Sequence, residues 1–492
     1  MSLVPLLDII HSHQLENWNA RNKKAFDALF GSPEGRYSKL AAKELTVRAP
    51  EMSADSGVPF AAYIHPSNPA SGPYSGLSFV VFPVPDQPCL IGMVVGTQGL
   101  APDEAILGRP GHGRKVQAIC AWLNQRYGSG KLVAWAKQDP TRTDIPIPAN
   151  VRNAWPAYKS VFDRYGREMY AIYAPISDKE STETALTAFL DLLFEERGHQ
   201  PIAAYQGNCE RIRSGWFDHL MPSVERSQVA RLLGSRRYVV LQGPPGTGKT
   251  MMATQLLNQD YGGRGRTIQF HPNTTYESFI GGLAPADIAV DLGFRFQPTR
   301  GALMEAAAEA RNDPAHNYLL HIDEINRADL GKILGEAIFL LETSDSGRTV
   351  NLPYDFGEPF HRTFFLPTNL HILGTMNSAD RSIAILDVAV RRRFAFVSLW
   401  PTMSVVEQYG CGTMQKAFRE LLSIFIEHAA DDTFPLVPGH SYFLESDEDL
   451  ARQTLLVNLV PLLEEYLAQG YVSGFAEPIR AYMQELVSLA RT

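Results

Sequence analysis

The chain has 492 residues, 45% of them hydrophobic and 20% charged, with a formal net charge of -8. Such a composition excludes a disordered or fibrous protein, and it supplies no bulk polycation to hold nucleic acid, so any such contact needs a local patch. The length exceeds what one ordinary core organises and implies two or three domains.

Residues 1–195 read as a mixed α+β domain suited to recognition or partner binding. The start, MSLVPLLDIIHSHQLENW, lacks the basic opening and long apolar run of a signal peptide. LSFVVF and CLIGMVVG are apolar runs of strand length separated by Pro-Val-Pro-Asp, and they read as neighbouring strands. Prolines and an aspartate interrupt this stretch, so it is no membrane span. GRPGHGRK (108–115) brings Arg109, His112, Arg114 and Lys115 together; a phosphate grip is conceivable, but a solvated surface loop is the ordinary reading. Trp122, Trp135, Trp155, Tyr158, Tyr170 and Tyr173 read as core in preference to a base-stacking pocket. TETALTAFLDLLFEERG spaces Leu186, Phe189, Leu190 and Leu193 as one helix face and ends at Gly198. A less patterned connector follows over 196–225. The four cysteines (Cys89, Cys120, Cys209, Cys411) have no ligand spacing and read as thiols in a reducing compartment, hence a cytoplasmic protein.

Residues 226–400 alternate strand-length apolar runs with amphipathic helices, the pattern of an α/β parallel sheet covered on both faces. In RRYVVLQGPPGTGKTMMATQLL a strand, a glycine-rich loop and a helix follow in order. The loop (Gly243, Pro244, Pro245, Gly246, Thr247, Gly248, Lys249, Thr250) fits G-x-x-x-x-G-K-[ST]. Its glycines let backbone N–H groups turn toward phosphate oxygens, Lys249 reaches the terminal phosphates, and Thr250 offers a hydroxyl to Mg²⁺. A chance Gly-Pro turn is the bland alternative, and the flanking strand and helix argue against it.

A strand, Tyr318 to Ile322, then delivers Asp323 and Glu324 to the sheet edge where ligands of such folds gather. Asp323 suits the Mg²⁺ shell, and Glu324 suits polarisation of an attacking water. A further strand, LHILGT, ends just before Asn377, whose neutral amide can orient water without repelling phosphate. The helix expected from Ile383 carries Arg391, Arg392 and Arg393 away from that edge. Guanidinium groups stabilise charge on a transferring phosphoryl group, so the cluster reads as fingers offered to a neighbouring subunit. The remaining 401–492 is nearly all helix, a lid-like subdomain.

Over about 235–445 the chain resembles the AAA+ superfamily and, more closely, its McrB-like group, the motors of McrBC-type modification-dependent restriction systems. The resemblance is carried by GPPGTGKT, QFHPNTTYESFIGG, HIDEINRADLGKILGEAIFLLE, GTMNSADRSIAILDVAVRRRF and PGHSYFL. It implies that Asp323 and Glu324 form the Walker B pair, that Asn377 is the first sensor, and that Arg392 and Arg393 are the fingers. Asp380 and Arg381 match a polar signature, RTVNLPYD and HRTFFLPTN an inserted hairpin, and His440 a lid motif that either senses nucleotide or packs. Further implications are ATP or GTP with Mg²⁺ as cofactors, a hexameric ring, a McrC-like nuclease subunit, and DNA met through the N-terminal domain or the ring pore. No nuclease constellation is visible in the chain. A MoxR-like chaperone that remodels a partner is the alternative from another class.

Overall fold

The computed structural model describes residues 2–489 except 13, 32–33, 52–56, 286–295, 343–346 and 379–387. The expected signature residues Asp380 and Arg381, and the start of the helix expected from Ile383, lie outside the described residues. The chain divides into two compact units, 1–221 with 426–430, and 222–425 with 431–492.

The first unit is built on a six-stranded sheet in the order β1-β2-β3-β4-β6-β5. Its strands are β1 (Thr46–Arg48), β2 (Ala61–Ile64), β3 (Leu77–Val84), β4 (Gln87–Val95), β5 (Ala134–Ala136) and β6 (Met169–Tyr173). The two apolar runs separated by Pro-Val-Pro-Asp are β3 and β4, paired antiparallel. Both are buried along most of their length, because helices cover one side of the sheet and an aromatic cluster with Trp155, Tyr158 and Phe162 the other. Among the aromatics read as core, Tyr170 and Tyr173 are fully buried and Trp135 only partly so. The stretch 196–225, expected as a less patterned connector, contains the helix Ala203–Phe217, which buries Cys209, Ile212 and Trp216 in this unit. Wide spacing of its apolar residues hid that helix from periodicity.

GRPGHGRK is likewise no solvated loop. It opens the helix Pro110–Tyr127, with proline at the first turn, and Gly111, His112, Gly113 and Lys115 are buried. His112 Nδ1 lies 2.6 Å from Glu196, and Lys115 Nζ lies 2.9 Å from Glu196 and 2.8 Å from Glu427. Lys115 pairs with carboxylates within the unit and His112 hydrogen-bonds Glu196, so the two do not form a phosphate grip.

The second unit carries a five-stranded parallel sheet in the order β15-β7-β14-β11-β8. Its strands are β7 (Tyr238–Gly243), β8 (Gly265–Gln269), β11 (Tyr318–Asp323), β14 (Leu370–Asn377) and β15 (Ala395–Ser398). Two antiparallel pairs lie apart from it: β9 (Gly281–Pro285) with β10 (Phe296–Arg300), and β12 (Val350–Asn351) with β13 (Thr363–Phe364). The second pair is the hairpin expected from RTVNLPYD and HRTFFLPTN. Alternate residues of β7 enter opposite cores, Tyr238 and Val240 on one face and Val239 and Leu241 on the other. Burial on both faces accounts for the continuous apolar runs in its sequence. After the sheet the chain is helical, with long helices at Gly412–His428 and Ala476–Leu489. Among the described residues no helix is long and apolar enough to cross a membrane.

The buried carboxylate of the first unit should make its stability fall in acid. Burial alone would raise the Glu196 pKa, but His112 and Lys115 outweigh it and hold the group near 2, below its ordinary 4.5. A depressed folded-state pKa contributes stability above about pH 4.5 that is lost as pH falls toward 2. Five of the six tryptophans (Trp18, Trp122, Trp135, Trp155, Trp216) lie in this unit. Thermal melts followed by tryptophan fluorescence should therefore lose midpoint steeply across that window. Glu196→Gln should be less stable at neutral pH and show a shallower acid limb.

Candidate active site

Parallel strands place their C-terminal ends at one edge, and β14 lies between the strand that feeds the phosphate loop and the strand that ends in the acidic pair. In register, Asn377 pairs with Gly243 across β14 and β7, and Gly374 with Ile322 across β14 and β11. The acidic pair and Asn377, the latter 134 positions after Gly243, therefore share one edge with the loop.

The phosphate loop bends as its sequence requires. Gly246 and Gly248 have φ of +81° and +78°, the region where glycine alone is unstrained. A Cβ on Gly243 would fall 2.3 Å from the Leu399 carbonyl oxygen, so only glycine fits there. Lys249 is buried and donates to the carbonyls of Gly243 and Pro244 at 2.9 and 2.8 Å. Burial lowers its pKa to about 8, against the opposing pull of Glu324 and Asp323. A cation so poorly hydrated is prepared to exchange these carbonyls for phosphate oxygens.

Across the edge, the Thr250 hydroxyl donates to Asp323 Oδ1 at 3.3 Å. Asn377 Nδ2 donates to Glu324 Oε1 at 2.8 Å, and Arg327 Nε stands 3.5 Å from Glu324 Oε2. Glu324 itself has φ +54°, a left-handed conformation that costs a non-glycine residue about 1–3 kcal/mol and turns up mostly at functional sites. The donor set fits a magnesium nucleotide: a hydroxyl and a carboxylate converge for a hard cation beside a loop of inward-turning N–H groups.

Lid residues close the back of the loop. Gly439 N–H donates to Pro245 O at 2.9 Å, and Ser441 N–H to Gly246 O at 3.0 Å. A Cβ on Gly439 would fall 2.1 Å from the Gly246 carbonyl carbon, which explains glycine in PGHSYFL. His440 is buried, burial lowers its pKa, and its Nδ1 accepts from Thr402 N–H at 3.3 Å. The histidine is thus a neutral tether between the lid turn and the segment that leaves β15. Periodicity and motif spacing gave no notice of these contacts.

The arginines are placed elsewhere. Arg391–Phe394 lead into β15, whose first residue, Ala395, pairs with Val239 near the start of β7. They stand at the sheet edge opposite the phosphate loop, roughly 16 Å away at about 3.3 Å per strand residue. Arg391 packs over the Phe396 ring, centroid distance 4.9 Å, while Arg392 is exposed and Arg393 half-buried. Arg392 and Arg393 are not part of their own chain's nucleotide site.

This sheet order, with a phosphate loop, an acidic pair and an asparagine on adjacent strand ends, is that of an AAA+ nucleoside triphosphatase domain. Residues 238–394 match the AAA domain of the dynein-related subfamily. Within that class the chain is McrB-like. It is 29% identical over 352 residues, 65% of this chain and 75% of the relative, to the type IV methyl-directed restriction enzyme EcoKMcrB subunit of Escherichia coli. It is 28% identical over 193 residues to the type II restriction enzyme BsuMI component YdiS of Bacillus subtilis, covering 32% of this chain and 56% of that one. A third relative, YehL of Escherichia coli, is 27% identical over 187 residues, 38% of this chain and 47% of its own length.

The two ends of the site should separate by mutation. Lys249→Ala should weaken binding of a fluorescent nucleotide, because the buried cation facing the phosphates is lost. Glu324→Gln should bind nucleotide within a few-fold of the parent yet release phosphate about 10²–10⁴ times more slowly, the usual worth of a positioned base. Parental phosphate release by Glu324→Gln would remove this carboxylate from the chemistry.

Proposed function

We propose that this chain is the Mg²⁺-dependent, ring-forming motor of a McrBC-like DNA restriction and antiviral system, with the nuclease supplied by a separate McrC-like subunit. The observation that carries the ring is the position of Arg392 and Arg393. They lie at the wrong edge of their own sheet to touch their own nucleotide, in a chain two of whose relatives are restriction-enzyme components. In a closed ring each subunit presents that edge to a neighbour, and each active site is composite.

In this reading Lys249 and the N–H groups of Gly246–Thr250 bind the phosphates of ATP or GTP. Thr250 and Asp323 would hold the Mg²⁺, which would supply neutralising charge. Glu324 polarises the attacking water while Asn377 keeps its carboxylate oriented. Arg392 or Arg393 from the adjacent subunit meets the charge developing on the transferring group. Residues 1–195 serve as the recognition part, 226–400 as the motor core and 401–492 as the lid, in a cytoplasmic protein that acts on DNA. The lid turn at Gly439–Ser441 is bonded to the phosphate loop. Occupancy of the loop therefore reaches the lid without a long relay.

The test mixes two inactive proteins, Glu324→Gln and Arg393→Ala (or Arg392→Ala). An Arg→Ala subunit with intact Glu324 can be served by the arginine of a Glu324→Gln neighbour, so phosphate release should partly return. An arginine finger contributes about 10³–10⁵ in rate, so each Arg→Ala protein alone should be nearly dead while still binding nucleotide. Mixed rings that stay inactive for both arginines would overturn the trans-finger assignment. Hydrolysis in the parent should also rise when DNA is added; a rate indifferent to DNA and raised by a client protein would favour a remodelling chaperone.

A further inference from the structure

Successive strand residues point to opposite faces of a sheet. Asp323 and Glu324 are adjacent, yet hydrolysis asks both carboxylates to serve one edge. A simple continuation of β11 would send one of them away. The chain instead turns Glu324 into the left-handed region, and something must hold it there. The hydrogen bonds identify what does.

Thr375, on β14, is 1% exposed. Its hydroxyl accepts from Glu324 N–H at 3.3 Å and donates to Asp323 Oδ1. One hydroxyl thus joins the backbone of the second acidic residue to the side chain of the first. Two residues further along the same strand, on the same face, Asn377 holds the other end of Glu324 through its carboxylate. Gly374 completes the mould: a Cβ there would fall 2.8 Å from Ile325 Cδ1 and 3.2 Å from its Cγ2. Ile325, fully buried, could not then close the turn that follows the acidic pair.

We propose that Thr375 is a positioning residue for hydrolysis. Its hydroxyl sets the pose of the Asp323–Glu324 pair, and Gly374 makes room for that pose. Thr375 does not meet the nucleotide; it acts through the two carboxylates. Threonine suits the task because its β-branch restricts χ1, so the hydroxyl direction is preset by the strand. Valine keeps the shape and removes the hydroxyl, and serine keeps the hydroxyl with a freer rotamer.

This inference rests on the nucleotide-hydrolase reading, so phosphate release by the parent protein is measured first; a parent that binds nucleotide and never hydrolyses it would sink that reading and leave Thr375 without a role. With parental turnover in hand, Thr375→Val and Thr375→Ser are compared per nucleotide-binding site, titrated with a fluorescent nucleotide. Thr375→Val should bind nucleotide within about twofold of the parent. Its kcat should fall by about 10- to 100-fold, the worth of a hydrogen bond to a charged group. Its Mg²⁺ requirement for half-maximal rate should rise, because Asp323 loses a donor that orients it. Thr375→Ser should recover most of both losses. A purely structural role would instead reduce the number of binding sites and leave kcat per site and the Mg²⁺ requirement unmoved. Parental kcat and Mg²⁺ dependence in Thr375→Val overturn the proposal, and so does a serine variant as slow per site as the valine one. If the valine protein fails to bind nucleotide, Thr375→Ser and Thr375→Cys decide: serine should be at least tenfold faster than the weakly hydrogen-bonding thiol, and equal rates overturn the assignment.

Discussion

The placement of β14 between β7 and β11 is the constraint on which the nucleotide site depends. Parallel pairing brings three strand ends to one edge, and hydrogen-bond register decides which residues meet there. A slip of one residue in β14 would turn Thr375 and Asn377 to the other face and leave Asp323 and Glu324 unheld. The cost of the left-handed turn at Glu324 is offset by contacts from a strand about fifty residues later in the chain. Local sequence could not stabilise that turn by itself.

Two other segments depend on the same edge. The Gly243–Leu399 approach ties the phosphate loop to the chain leaving β15, and His440 ties that chain to the lid turn. Among the loop carbonyls, Pro245 and Gly246 accept from Gly439 and Ser441, and Gly243 and Pro244 accept from Lys249. The loop is therefore held from behind by backbone bonds that do not depend on side-chain identity, glycine at 439 excepted.

The first unit follows a different logic. Its basic side chains, which in sequence look available to an anionic ligand, are used within the unit: Lys115 and His112 on Glu196, and Arg36 in a two-point pair with buried Asp191 at 2.5 and 2.6 Å. Removing one partner of such a pair would strand a buried charge, a larger loss than the pair's own net worth. Charge in this unit contributes to architecture, and its local clustering in GRPGHGRK is a consequence of packing.

Much of the second unit was legible in the chain because its signals are local. A phosphate loop must be a strand, a glycine-rich turn and a helix in that order, and GPPGTGKT needs glycine where φ is positive whatever surrounds it. Buried parallel strands must be continuously apolar, so β7, β11 and β14 announced themselves, and the residues at or just past their ends were readable as candidate site residues. The role of Thr375, the lid turn behind the loop, the helix at 203–217 and the pairing of Lys115 were not legible, because each depends on which distant segment lies opposite. A buried threonine in a strand is ordinary until its hydroxyl is found between two carboxylate-bearing residues at the end of another strand. A cationic glycine-rich stretch has the same composition whether it faces water or a carboxylate. Local periodicity and turn chemistry determined the elements and the identity of the loop; strand order and register, set by burial over the whole sheet, decided which side chains share a site.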